Sequence, residues 1–154
     1  MNDAARDASA DPVVFSLNGS ELRAEAGETI IEAAQRHGVE IPHLCWTPGM
    51  RPDGNCRACM VEIKGERVLA PSCCRAPAPG MEVSSESPRA VHSQKLVVEL
   101  LAADVPERSY RPDSELDHWK RRLGVGTPRF AARAQPAPDL SHPAMAVNLD
   151  ACIQ

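Results

Sequence analysis

The sequence predicts an α+β domain, because two short stretches of strand-like residues are each folded back by a turn and a helical run lies between them. A loop too rich in Pro and Gly for regular structure joins that helix to the second hairpin, and it is bounded by cysteines. Residues 1–11 are small, polar and aperiodic, the composition of a disordered leader. Residues 13–17 (Val-Val-Phe-Ser-Leu) and 21–24 (Glu-Leu-Arg-Ala) read as strands around Asn18-Gly19, the strongest two-residue hairpin signal. Gly27-Glu28-Thr29 opens a run in which Ile30, Ile31, Ala33 and Ala34 have helical spacing, ending near Gly38.

Residues 39–55 contain Pro42, Pro48, Gly49, Pro52 and Gly54, so they form a long loop, and loops of that length in compact domains usually carry function. Residues 60–63 alternate, 64–66 turn, 68–70 return, and a last short strand is expected over 81–84. Pro88 suits a first helical turn, and 89–104 follow as the longest helix. On that helix Val91, Val97, Val98, Leu101 and Ala102 are assigned to one face and Leu96 and Leu100 to the other, which calls for two partners: residues 105–154 folded back, or another domain or subunit. The expected organisation is a domain over 12–87, a linking helix over 88–104, and a mostly irregular extension over 105–154 with one helix near 114–123.

A net charge of -4 over 154 residues provides no basic field for nucleic acid or acidic lipid, so neither is an expected partner. No apolar stretch is long enough to cross a bilayer and the first residues lack a signal-peptide core, which makes the cytoplasm the expected compartment. Thiols stay reduced there, so six cysteines read as metal ligands or reactive groups rather than as disulfides.

The informative pattern is Cys45-x10-Cys56-x2-Cys59-x13-Cys73. Thiolates are soft, charge-dense ligands, and four of them suit tetrahedral iron in a 2Fe-2S cluster. Three come from one loop and its exit, and the fourth from the far end of the following hairpin, so folding the hairpin closes the site. Such a centre carries roughly -2 charge when oxidised and roughly -3 when reduced, which its surroundings must offset. Gly49 and Gly54 allow the loop to turn backbone amides toward the sulfurs, while Arg51 and Arg57 add positive charge expected to raise the potential slightly. Trp46 is expected to plug the loop rather than to act electronically.

Structural zinc usually takes two short cysteine pairs, and only Cys56-x2-Cys59 is one; a zinc-bearing interaction module without a redox role is the alternative from another class. A thioredoxin-like pair would stand at a helix N-terminus, whereas a strand follows Cys59. His43, two residues before Cys45, reads as a solvated loop side chain rather than as a catalytic partner. Cys74 could replace Cys73 as the fourth ligand, although adjacent residues of a strand point to opposite faces, so only one of the two should reach the iron.

The run Ile41-Pro42-His43-Leu44-Cys45, then Gly54-Asn55-Cys56-Arg57-Ala58-Cys59-Met60-Val61-Glu62, then Pro71-Ser72-Cys73 resembles the 2Fe-2S domain at the N-terminus of the large complex I subunit, of hydrogenase diaphorase subunits and of NAD-dependent molybdenum formate dehydrogenases. The resemblance implies a ferredoxin-like β-grasp fold with Cys45, Cys56, Cys59 and Cys73 as cluster ligands, choosing Cys73 over Cys74. Its first gap is longer than the C-x4-C-x2-C of plant ferredoxins.

Residues 96–104, Asp113-Ser114-Glu115-Leu116 and the run from Ser141 to Cys152 resemble the formate dehydrogenase α subunit. That likeness implies partners in a formate dehydrogenase-like redox complex whose other parts carry a molybdenum cofactor, four-iron clusters, FMN and NAD; this chain would hold no catalytic residue. The His and three Cys that bind a four-iron cluster in complex I relatives have no counterpart in 103–111. Cys152-Ile153-Gln154 resembles the start of a four-iron C-x2-C-x2-C-x3-C run, an apparent truncation in which Cys152 alone holds no cluster, and a capping or surface role is expected for His142.

Overall fold

The computed structural model describes residues 11–105, 114–134 and 137–148. The expected leader, apart from Asp11, and the motif at Cys152 lie outside the described residues. The chain divides into two compact units, Met1–Gln94 and Lys95–Gln154.

In the first unit Val13–Leu17 (β1) pairs antiparallel with Ser20–Ala24 (β2), Leu17 opposite Ser20. Asn18 and Gly19 turn the chain with φ of 52° and 82°, the left-handed geometry that Asn tolerates and Gly adopts freely. Helix α1, Ile30–Arg36, begins at Thr29, whose backbone N–H and hydroxyl both donate to the Glu32 carboxylate, at 2.8 and 2.9 Å. Its buried face is Ile30, Ile31, Ala33 and Ala34, as their spacing predicted.

Met60–Ile63 (β3), Ala70–Pro71 (β4) and Glu82–Ser84 (β5) complete a five-stranded sheet of order β2-β1-β5-β3-β4. Strand β5 runs parallel to β1 and antiparallel to β3, so the last strand enters the centre of the sheet. This is the expected α+β architecture, with Phe15, Leu17, Ile30, Ile31, Ile41, Trp46, Val61 and Val83 in its core.

The second hairpin differs from the sequence expectation over 68–70. Val68 is 58% exposed, and the returning strand is Ala70–Pro71, with Val61 opposite Ala70 and Met60 opposite Pro71. The tip is held otherwise, since the Glu66 N–H donates to Ile63 O and the Lys64 N–H to Glu82 O of β5, so the hairpin opens and closes again only at Ala70.

Helix α2, Pro88–Asp104, is capped by Ser87, whose hydroxyl accepts from the Ala90 N–H at 3.1 Å, and Pro88 fills the first position. Its buried residues are Ala90, Gln94, Val98, Glu99 and Ala102, whereas Val91, Val97 and Leu101 are only half-buried and Leu100 is exposed. The row followed by burial is thus the i, i+4 series of small residues and one glutamine, which counting large apolar side chains could not locate. Gln94 donates from Nε2 to Met60 O at 2.9 Å and to Ser85 O at 3.1 Å.

In the second unit α3, Glu115–Leu123, starts at Ser114, whose hydroxyl accepts from the Asp117 N–H, and ends at Gly124 with φ of 65°. Leu116 and Trp119 are its buried residues. Asp139–His142 (β6) and Met145–Val147 (β7) form an exposed two-stranded hairpin where an irregular extension was expected. Its turn is Pro143-Ala144 rather than a glycine pair, and no strand residue is buried, so neither turn chemistry nor alternation announced it. His142 Nδ1 accepts from the Ala144 N–H at 3.2 Å, a local turn bond. Among the described residues no helix is long and apolar enough to cross a membrane.

Two outcomes follow from this packing. Gln94→Leu removes the donor to two backbone carbonyls and is expected to cost about 1–3 kcal/mol, measured by denaturant unfolding of the chain. Glu99 accepts from Arg129 Nε and Nη2 at 2.8 and 2.7 Å, and the guanidinium holds its carboxyl at about 2, below the ordinary 4.5. Because the folded value is the lower one, the pair stabilises fully above the ordinary value and is lost as pH falls through the folded one. Thermal melts of wild type and Glu99→Gln should therefore converge between pH 4.5 and 2, and a gap that stays constant across that window would contradict it.

Candidate metal centre

The loop after α1 is pinned at two points. Ile41 and Trp46 are buried in the core, and the His43 ring meets Trp46 edge-on with centroids 5.1 Å apart. Trp46 is thus the hydrophobic plug its position predicted. Further along, Gly54 and Arg57 both take left-handed backbone, φ of 66° and 57°. A Cβ at Gly54 would lie 2.9 Å from Cys74 Sγ, so the loop passes close against that sulfur. Cys59 then leads directly into β3.

The fourth cysteine sits in a tight turn rather than in a strand. Pro71 O accepts from the Cys74 and Arg75 N–H groups, both at 3.1 Å. Three further backbone bonds fix this turn: Ser72 N–H to Cys59 O at 3.0 Å, Ile31 N–H to Ser72 O at 3.1 Å, and Ile30 N–H to Arg75 O at 2.8 Å. The strand-alternation argument for separating Cys73 from Cys74 therefore does not apply, since their sulfurs lie 3.6 Å apart. Burial separates them instead, Cys73 being 0% exposed and Cys74 an exposed residue.

The four predicted positions come together two by two. Cys45 contacts Cys56, and Cys59 contacts Cys73. Among the described residues no group of three or more His, Cys, Asp or Glu side chains is arranged to hold a single metal ion. Cys56, Cys59 and Cys73 are buried and Cys45 is half-buried. The Cys59 thiol is lowered to about 6, chiefly by the hydrogen bond it receives from Cys73, against the opposing effect of burial. Cys73, the donor, is pushed up by that same bond and by burial. Burial raises Cys56, while backbone N–H groups at Ala58, Cys45 and Leu44 pull the other way. Arg51 and Arg57 are exposed.

Sequence reasoning passed over Ser72. Its Oγ is a fully buried side-chain polar atom with no partner at ordinary hydrogen-bond geometry, although the hydroxyl is near enough to Cys59 to favour that thiolate. No residue pattern marks a serine beside a ligand as buried and unpaired. Four soft donors in two pairs, backbone amides aimed at sulfur and one orphaned hydroxyl together fit a cluster with several sulfur acceptors.

Residues 10–88 match the family model described as the 2Fe-2S iron-sulfur cluster binding domain. The chain belongs to this family. It is 32% identical over 149 residues to an NADH-quinone oxidoreductase subunit of Rhizobium meliloti (strain 1021), a match covering 92% of this chain and 18% of the relative. The mitochondrial NADH-ubiquinone oxidoreductase 78 kDa subunit of Neurospora crassa is 29% identical over 150 residues, covering 92% and 20%. Among solved structures, the NAD+-reducing NiFe hydrogenase in the H2-reduced state superposes with a TM-score of 0.80 at 31% identity, covering 92% of this chain and 62% of that one. The chain thus spans about a fifth of the length of these curated relatives.

Within this 2Fe-2S domain Gly54 carries a specific constraint. Gly54→Ala forces an L residue into left-handed backbone and is expected to cost about 1–2 kcal/mol in denaturant unfolding. Cys74→Ala in the same chain should recover only the smaller, steric part; full recovery would place the whole cost in the contact with the Cys74 sulfur.

Proposed function

We propose that the chain holds one 2Fe-2S cluster on Cys45, Cys56, Cys59 and Cys73 and relays single electrons within a larger, NADH-linked redox complex in the cytoplasm. The pairing of Cys45 with Cys56 and of Cys59 with Cys73, in a fold whose family binds this cluster, carries the reading. Four thiolates suit a cluster of two irons, so Cys45 with Cys56 and Cys59 with Cys73 would each hold one iron. The bound cluster supplies reversible one-electron chemistry.

The chain's own residues bind and insulate. Trp46 and Ile41 keep water from the inner side of the loop, the backbone N–H groups near Cys56 offset negative charge, and Ser72 locks Cys59 to the Cys73 turn. No side chain is assigned to bond chemistry. Other subunits or domains would deliver and remove the electrons, as the relatives' names and the NAD+-reducing hydrogenase support. The likeness of 113–116 and 141–152 to a formate dehydrogenase α subunit supports formate as the electron source, with molybdenum cofactor, four-iron clusters, FMN and NAD elsewhere in that complex. A zinc-bearing interaction module has less support, because only one short cysteine pair is present and the family's described ligand is an iron–sulfur cluster.

Chain purified without oxygen should be brown and contain about two irons and two sulfides, whereas colourless protein with zinc refutes the proposal. Cys59→Ser and Cys73→Ser should each abolish the visible absorption while Cys74→Ser keeps it; the reverse result for Cys73 and Cys74 would reassign the fourth ligand. Formate-dependent NAD reduction by the complex co-purified with this chain tests the electron source, and reduction with hydrogen but not formate would exclude it.

A further inference from the structure

Ser72 presents a problem that its surroundings do not solve. The residue is 0% exposed, and its Oγ lacks a partner although its backbone is fully engaged, the N–H with Cys59 O and the carbonyl with the Ile31 N–H. Those two bonds fix the residue, so the hydroxyl cannot turn out to water by moving the chain. An unpaired buried hydroxyl costs free energy, and alanine would fill the position without that penalty. The Cys59 sulfur lies near enough for the hydroxyl to favour its thiolate, while the Cys59 carbonyl already accepts from the Ser72 N–H.

Building on the ligation proposed above, we infer that the Ser72 hydroxyl donates a hydrogen bond to the Cys59 thiolate of the loaded cluster and raises its reduction potential. Gaining an electron takes the centre from roughly -2 to roughly -3 charge, so a fixed donor stabilises the reduced state more than the oxidised one. The hydroxyl keeps its proton throughout, and the single electron comes from the redox partner of the complex. Ser72 is thus a tuning residue rather than a ligand.

The test uses the whole chain, loaded and purified without oxygen, as wild type, Ser72→Ala and Ser72→Thr. Iron and sulfide content are measured first, then the midpoint potential by redox titration followed by EPR. Ser72→Ala should keep the full cluster but hold its electron about tenfold less well, a fall of about 59 mV for a one-electron couple, with Ser72→Thr close to wild type. With the cluster removed the order changes, and Ser72→Ala should melt no lower than wild type because it deletes an unpaired hydroxyl. Loss of the cluster from Ser72→Ala alone would also support a bonded hydroxyl in the loaded state. Equal potentials in Ser72→Ala and wild type, or loss of the cluster from both variants, would overturn this inference and leave the ligands standing. A wild-type chain that takes up no iron would overturn the ligand reading as well.

Discussion

The first N–H groups of any α-helix have no acceptor within the helix, and in this domain those of α1 are satisfied by the turn that carries Cys73. Ile30 donates to Arg75 O and Ile31 to Ser72 O, while the Ser72 N–H in turn donates to Cys59 O at the entry to β3. One residue of backbone therefore ties helix, strand and turn together. Without that tie, Cys59 and Cys73 would be joined only through the residues of a hairpin whose tip is open, with Val68 facing solvent. The site depends on a hydrogen-bond account settled by backbone groups, and the sheet order follows from the same need. Only with β5 between β1 and β3 do the first hairpin, which leads into α1, and the second, which leads into Cys73, belong to one sheet.

Electrostatics then sets Cys59 apart from its neighbours, since its thiol is lowered while those of Cys56 and Cys73 are raised. A buried cysteine in apolar surroundings resists ionisation, as Cys56 does. Cys59 is more deeply buried still, yet it falls to about 6 because Cys73 donates to it. Two neighbouring thiols share the cost, one giving a proton bond so that the other can become an anion. A divalent or trivalent metal ion amplifies that tendency, since coordination deprotonates thiols outright. The surrounding amides serve the same end, turned inward by a loop in which Gly54 and Arg57 both adopt left-handed backbone.

How far the sequence revealed this depended on whether the deciding interaction was local. Asn18-Gly19, the Gly27-Glu28-Thr29 opening of α1 and the N-terminal proline of α2 act over a few residues, and each hairpin or helix start stands where those residues placed it. Cysteine spacing was legible for the same reason, being a property of the chain itself. Gln94 was not, because its bonds reach Met60 O, 34 positions away, and a buried glutamine interrupts the apolar row by which helix faces are read. The Cys73 turn was mistaken for a strand because the residues after Ala70 take their geometry from α1, which lies far back in sequence. Ser72 stood in the Pro71-Ser72-Cys73 run without a role of its own, since a serine beside a cysteine is ordinary and only packing makes its hydroxyl an orphan.

The two cysteine pairs differ in what holds them, and the difference divides the site's tasks. Cys59 and Cys73 belong to the hydrophobic core, in contact with the interior that folding assembles, whereas Cys45 and Cys56 lie outside that cluster on the long loop. Core packing fixes positions tightly because dense interiors resist displacement, while loops are free to adjust. One half of the site is thus set by the fold itself, and the other is brought to it by a segment that enters the core cluster at Ile41 and Trp46. A cluster bound across both would join loop to core through metal–sulfur bonds, so that filling the site and ordering the loop become one thermodynamic event. The buried Trp46, with the His43 ring edge-on against it, holds that loop to the core through packing.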